Sequence, residues 1–432
     1  MTPGARLAAA IEVLAEIEAE RRPAADVLKA WGPAHRFAGA GDRAAIAGLV
    51  YDALRRKASA AFLLGSERPR AVVLGMLRLE RKLDVAGIAH LFGGSRYAPP
   101  PLDEPERAAL AGATLAGAPA WTAGDYPEWL DPPLARVFGE ERAAEGAALA
   151  SRAPLDLRVN GLKSDRAAAL SALAHLHAAA TRWSPLGLRI ALGADAKSPG
   201  IHAEPAFIKG WIEMQDEGSQ LAALLSGAQP GERVIDLCAG AGGKTLALAA
   251  MMQNRGELIA TDDDKRRLAP IHARIARAGA RIIDVRTPRG EADVLADLAG
   301  SADLVLIDAP CTGIGVWRRH PDAKWRIRPG ALEVRLSEQA ALIERAASLI
   351  NPQGRIVYVT CSLLREENQD QVQRFLGSHP SFAAVAVADV VRPLAERDAF
   401  CAAALVSPEG LLMTPRRTGT DGFFVSVLRR SA

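Results

Sequence analysis

Asp236-Leu237-Cys238-Ala239-Gly240-Ala241-Gly242-Gly243-Lys244-Thr245 is the stretch whose reading decides the fold. It follows the apolar run Arg233–Leu237 and opens an apolar helical pattern, so its glycines permit a tight turn and a close approach of backbone N–H groups to a ligand. Three nucleotide-type readings compete. A P-loop needs a glycine six residues before Lys244, where Cys238 stands. A dinucleotide fingerprint on Gly240 and Gly242 needs its third glycine at Thr245. S-adenosylmethionine fits better, held by Cys238 to Lys244. Asp262 lies twenty residues past Gly242 at the end of the next strand pattern, where a carboxylate can accept both hydroxyls of a ribose. Its plainer reading is a strand-end or helix-capping acid.

Working outward from this loop, strands are predicted at Arg233–Leu237, Leu258–Thr261, Asp303–Ile307 and Arg355–Thr360, alternating with helical patterns. Such alternation predicts an α/β, doubly wound sheet that is parallel and covered on both faces. Leu411–Thr414 and Phe423–Leu428 flank a Gly- and Thr-rich turn and predict a hairpin added to it. Upstream, Leu155–Asn160 alternates like a strand and is followed by a helical Ser164–Ala180, which reads as a small α+β insert. Leu7, Ile11, Leu14 and Ile17 fall at helical spacing, as do Ile46, Leu49, Val50, Ala53 and Leu54, so the N-terminal region predicts an all-helical domain. Pro99-Pro100-Pro101 and the run to Trp121 break that periodicity and read as a loop or linker. The expected domains are 1–135 (helical), 150–210 (small α+β) and 211–432 (doubly wound).

The 53 basic and 50 acidic residues leave a net charge of +3, too small to argue for nucleic acid by itself. Distribution is more telling. Arg43 to Lys82 holds 9 basic against 3 acidic residues, a basic helical face that would suit RNA or solvent. Trp317-Arg318-Arg319-His320 and Lys324-Trp325-Arg326 interleave aromatics with cations, as a surface that stacks bases and pairs phosphates would. The competing reading has these tryptophans packed beneath a solvated helix. The four cysteines show no CxxC spacing, so no metal site or disulfide framework is expected, and reduced thiols point to the cytoplasm. No apolar stretch approaches a membrane span.

Cys311 in Asp308-Ala309-Pro310-Cys311 and Cys361 in Val359-Thr360-Cys361-Ser362 end two of the predicted strands. Open α/β sheets bind ligands at that edge, which favours catalysis over inert packing for these two thiols. A thiolate there can add to carbon 6 of a pyrimidine and turn carbon 5 into a nucleophile for a sulfonium methyl group. Asp308 could hydrogen-bond the cytosine ring, and Lys244 could orient the base or Asp308. Cys238 and Cys401 carry no such chemistry.

Together with Asp236–Thr245, these motifs resemble the RsmB/NSUN family of RNA cytosine-5 methyltransferases. The resemblance extends to Arg318-Arg319-His320-Pro321-Asp322, Lys324-Trp325 and Glu366-Glu367-Asn368. It also takes in Gln215-Asp216 with Ser219, and Asp421-Gly422-Phe423-Phe424. Leu157–Asn160 resembles the start of the family's small RNA-binding subdomain, and Asp42-Arg43-Ala44 with Leu49-Val50-Tyr51 resembles a NusB-like domain. The resemblance implies a class I methyltransferase-type sheet, S-adenosylmethionine as cofactor, and RNA as partner. The RNA implied is small-subunit ribosomal RNA. The oligomeric state is left open, with a monomer expected, and no membrane partner is expected. It implies Cys361 as nucleophile and Cys311 as the thiol that assists breakdown of the adduct. Two departures stand out: Gly240-Ala241 replaces the usual Ala-Pro, and the acid after the third strand has only the early Asp284 as counterpart. A transfer-RNA methyltransferase and a non-catalytic RNA-binding assembly factor are the alternatives.

Overall fold

The computed structural model describes residues 1–193, 199–290 and 292–430, which fall into two compact units. The smaller comprises Met1–Arg152, Gly193 and Trp317–Arg328. Its first helix, Pro3–Glu20, starts where Thr2 accepts from the Ala5 N–H and Pro3 supplies a preset φ. Leu7, Val13, Leu14 and Ile17 on its inner face pack with Ile46 and Val50 of helix Ala40–Arg55 and Leu74 of helix Pro69–Leu79. The N-terminal region is helical, as its periodicity predicts.

Three expectations fail here, each for a local reason. The expected loop after Pro101 contains a helix, Glu104–Ala111, because Asp103 and Glu106 cap each other's backbone N–H groups and Pro105 tolerates the first turn. The expected basic face is largely neutralised within the protein. Arg55 and Arg81 bind Asp52, Arg56 binds Glu80 and Asp125, Lys57 binds Glu18, and Arg70 binds Glu106. Finally, Trp317–Arg328 is grouped with the helices, and Trp317, Arg318 and Lys324 are buried while His320, Arg326 and Arg328 are exposed. Trp317 and Lys324 are each 1% exposed, Lys324 Nζ donates to the Arg55 and Asp125 carbonyls, and Trp325 Nε1 donates to the Leu54 carbonyl. The packing reading wins over base stacking for these residues.

The larger unit comprises 153–192, 199–316 and 329–430 of the described residues. Its small sheet has β1 (Leu155–Val159), β2 (Ala179–Ala180), β3 (Gly187–Ile190) and β4 (Ile212–Met214) in the order β2-β3-β1-β4. The helix expected over Ser164–Ala180 spans only Arg166–Ala172, capped by Asp165, because residues 179–180 pair with β3 instead.

The large sheet contains β5 (Arg233–Asp236), β6 (Glu257–Ala260), β7 (Ile283–Val285), β8 (Ala302–Asp308) and β9 (Ile350–Thr360), all parallel. β10 (Phe382–Ala384), β11 (Leu405–Ser407), β12 (Gly410–Met413) and β13 (Phe423–Arg430) complete it. The order is β11-β12-β13-β9-β8-β5-β6-β7, with β10 on β13. β13 runs antiparallel between β9 and β12, as the predicted hairpin requires. This is the doubly wound class I methyltransferase-type fold. The order reverses between β5 and β8, which opens a crevice at the carboxyl ends of the strands.

Candidate active site

Four strand ends build the site. β5 ends in Asp236, which is 1% exposed; its Oδ2 accepts from Thr245 Oγ1 at 2.7 Å, while Oδ1 has no hydrogen-bond partner. Burial pushes the Asp236 carboxyl up to about 7. The following loop reaches helix Gly243–Met251, whose N-terminus carries no side-chain cap. Gly242 has φ +85°, and a Cβ there would stand 2.5 Å from Ile271 Cγ1, so only glycine lets the loop lie against helix Ile271–Ala278.

Asp262 closes the other side of the loop. Its Oδ2 accepts from the Gly240 N–H at 2.9 Å and its Oδ1 from the Asp264 N–H at 3.0 Å. The structure brings the glycine loop and Asp262 into contact, but their work is divided. The N–H groups of Ala239, Gly240 and Gly242 go to Thr261, Asp262 and Ala239, and the Ala241 carbonyl accepts from Arg274. These positions shape the loop. Burial raises the Cys238 thiol well above its usual range, so it stays neutral. The uncapped helix start, the orphaned Asp236 oxygen and the remaining lone pairs of Asp262 together suit a cofactor bearing an amino-acid moiety and a ribose. Asp284, by contrast, is turned out to solvent and bound to Arg286.

At the end of β8, Asp308 Oδ2 accepts from Lys244 Nζ at 2.7 Å. Lys244 is 7% exposed and sits 5.0 Å from the Phe423 ring centroid at the start of β13. A carboxylate and a ring face therefore hold the ammonium in one position. Just beyond, Cys311 Sγ lies 3.3 Å from Cys361 Sγ. The contact with Cys361 and then burial raise the Cys311 thiol well above its usual range, so Cys311 stays neutral. The Gly315 N–H donates to the Cys361 carbonyl and the Gly422 N–H to the Gly315 carbonyl.

Several residues escaped the sequence reading as site members: Asp236, Phe423, Thr312, Ser362 and Glu367. Each sat inside a quoted motif or beside one of the two cysteines, but only spatial neighbours reveal what it holds. The small sheet also reaches the loop, since Arg158 of β1 donates to Gln215 Oε1 at 2.6 Å and to the Gly243 carbonyl at 3.4 Å.

The chain is similar to known proteins. Residues 223–429 match the family described as 16S rRNA methyltransferase RsmB/F, and residues 126–196 match the ferredoxin-like domain described as RsmF/B-like. The chain is 30% identical over 307 residues to a Synechocystis protein named "Probable ribosomal RNA small subunit methyltransferase B", covering 71% of this chain and 67% of that one. It is 33% identical over 303 residues to the ribosomal RNA small subunit methyltransferase B of Sodalis glossinidius, covering 69% of this chain and 64% of that one. These alignments span about two thirds of each relative. NSun6 of Pyrococcus horikoshii, solved with SFG, shares the fold at a TM-score of 0.61 and 22% identity, covering 71% of this chain and 98% of that one.

Proposed function

The chain belongs to the RsmB/NSUN-type methyltransferase family, and from that membership we propose that it transfers a methyl group from S-adenosylmethionine to carbon 5 of a cytosine in small-subunit ribosomal RNA. The observation that carries this reading is the 3.3 Å pairing of Cys311 with Cys361 at strand ends beside the Lys244–Asp308 pair. Methyl transfer to an ordinary nucleophile needs no thiol at all.

Bound S-adenosylmethionine supplies an electrophilic methyl group. Asp262, the Asp236 carboxyl and the Cys238–Lys244 loop are the residues that would hold it. Cys361, with the neutral Cys311 thiol beside it, forms a bond to ring carbon 6, which makes carbon 5 nucleophilic. Asp308, fixed by Lys244, hydrogen-bonds the cytosine ring as charge develops there. The carbon-5 proton then leaves to solvent water, its bonding electrons re-form the ring double bond, and the sulfur–carbon bond breaks with its electron pair returning to Cys361 as thiolate. We assign that release to Cys311, whose sulfur lies beside the bond that must break. All four cysteines are free, which supports a reducing, cytoplasmic setting.

Separate thiol variants test the assignment. Cys361→Ala should abolish both methyl transfer and covalent RNA attachment. Cys311→Ala should still attack and methylate, then stall as a protein–RNA adduct that survives denaturing electrophoresis. The reverse pattern would exchange the roles, and methyl groups mapped to a base other than cytosine would sink the proposal.

A further inference from the structure

Glu367 is fully buried and touches the residue that follows each cysteine. Its Oε1 accepts from the Thr312 N–H at 2.8 Å and from Gln339 Nε2 at 3.0 Å. Its Oε2 accepts from the Thr312 and Ser362 hydroxyls. Four donors converge on one carboxylate, which satisfies a charge that burial would otherwise penalise heavily. The Glu367 backbone is itself anchored, since the Tyr358 hydroxyl of β9 donates to its carbonyl at 2.7 Å.

Thr312 follows Cys311 at the end of β8, and Ser362 follows Cys361 at the end of β9. Strand pairing holds these strands side by side up to the Ala309 N–H on the Val359 carbonyl. Past that point the loops are joined by the Gly315 N–H on the Cys361 carbonyl and by the side chains of Thr312, Ser362 and Glu367. We propose that Glu367 is the positioning residue that ties the two thiol-bearing loops together and so sets the separation of Cys311 from Cys361. The catalytic consequence rests on the two-thiol reading above: release of the RNA requires the second sulfur to stay beside the first, and a misplacement of about 1 Å can cost roughly 100-fold.

The separation of the thiols can be read without RNA. Diamide oxidises both thiols to a disulfide while its N=N bond takes up the two hydrogens and becomes a hydrazine, and peptide mapping follows the Cys311–Cys361 product. In Glu367→Ala the disulfide should form about 10-fold or more slowly, and during turnover the RNA adduct should accumulate because release lags formation. Glu367→Gln should largely restore both, since its carbonyl can accept from the Thr312 N–H and its amide can donate to the two hydroxyls, which rotate to accept. Ser362→Ala cuts only the Cys361 arm and should show the same defects in smaller measure, which keeps the test available if Glu367→Ala fails to fold. Cofactor affinity by calorimetry should not change in any of them. Slowed disulfide formation in a protein that never forms an RNA adduct would leave the positioning role standing and defeat the covalent mechanism. Disulfide formation at the wild-type rate in both Glu367→Ala and Ser362→Ala would overturn the positioning role.

Discussion

Asp236 carries an electrostatic cost at the start of the cofactor loop. Its carboxyl ordinarily ionises near 3.8, and burial first of all, with Asp308 adding to it, pushes it up to about 7 in the fold. Between those values the folded protein holds a proton that the unfolded chain has released, so stability falls as pH rises from about 4 to about 7 and is then level. Asp236→Asn removes this term. Chemical denaturation should show the variant gaining on the wild type across that interval, by up to about 4 kcal/mol; a gap that does not change with pH would mean that Asp236 is ionised in the fold. Asp262 makes a different contribution, because its carboxylate both braces Gly240 and retains lone pairs for a ribose. Asp262→Ala should weaken S-adenosylmethionine binding by roughly 1.5–3 kcal/mol in calorimetry, the worth of a hydrogen bond to a charged group. Unchanged affinity would remove Asp262 from the cofactor site. The spacing from Gly242 to Asp262 was readable in the chain. The missing partner of Asp236 Oδ1 was not, since an unsatisfied oxygen is defined by what surrounds it.

At the scale of elements, the site depends on a contact between two loops that no strand pairing enforces. A Cβ on Gly422 would stand 2.6 Å from Gly315 Cα and 2.6 Å from Leu363 Cδ2, so both loops would have to move. Gly315 in turn holds the Cys361 carbonyl. Gly422→Ala should therefore cost about 1–3 kcal/mol in urea unfolding, as overpacking does. It should also slow adduct formation by Cys361. Full activity in this variant would show that the loop position tolerates the shift. Strands β5, β6, β8, β9 and β13 were legible because buried strands give apolar runs and the turns between them are marked by glycine. Helix Glu104–Ala111 was missed because the prolines before it dominated the reading, although its Asp-x-x-Glu capping signal was present at Asp103 and Glu106.

At the scale of the molecule, Trp317–Arg328 is the segment whose sequence neighbours mislead. The chain on both sides belongs to the larger unit, yet this stretch is packed among the helices of the smaller one. Lys324 there is pulled down to about 7 by burial, against an ordinary 10.5. Between those values the folded protein has lost a proton that the unfolded chain keeps, so this group adds stability as pH rises from about 7 to about 10.5 and loses it as pH falls back. Lys324→Met deletes that gain and also strands the Arg55 and Asp125 carbonyls. The variant should be destabilised by about 1–3 kcal/mol at pH 7, with the gap widening toward pH 10 in thermal or urea unfolding. A gap that narrows with pH would mean that Lys324 stays charged.

The amino-acid sequence by itself determined the doubly wound sheet, the glycine loop with its acid one strand later, and two thiols at strand ends. All of these follow from periodicity and spacing along one chain, where local sterics and hydrophobic alternation act. Only the tertiary structure decided which charges are spent inside the protein. Arg55, Arg56 and Lys324 look like a nucleic-acid surface in the sequence, and become internal ties once their carboxylate and carbonyl partners are brought close. The same holds for Glu367, whose role comes from two loops fifty residues apart that meet at one carboxylate. Hydrogen bonds and ion pairs act over a few ångströms, and residue spacing does not reveal those distances.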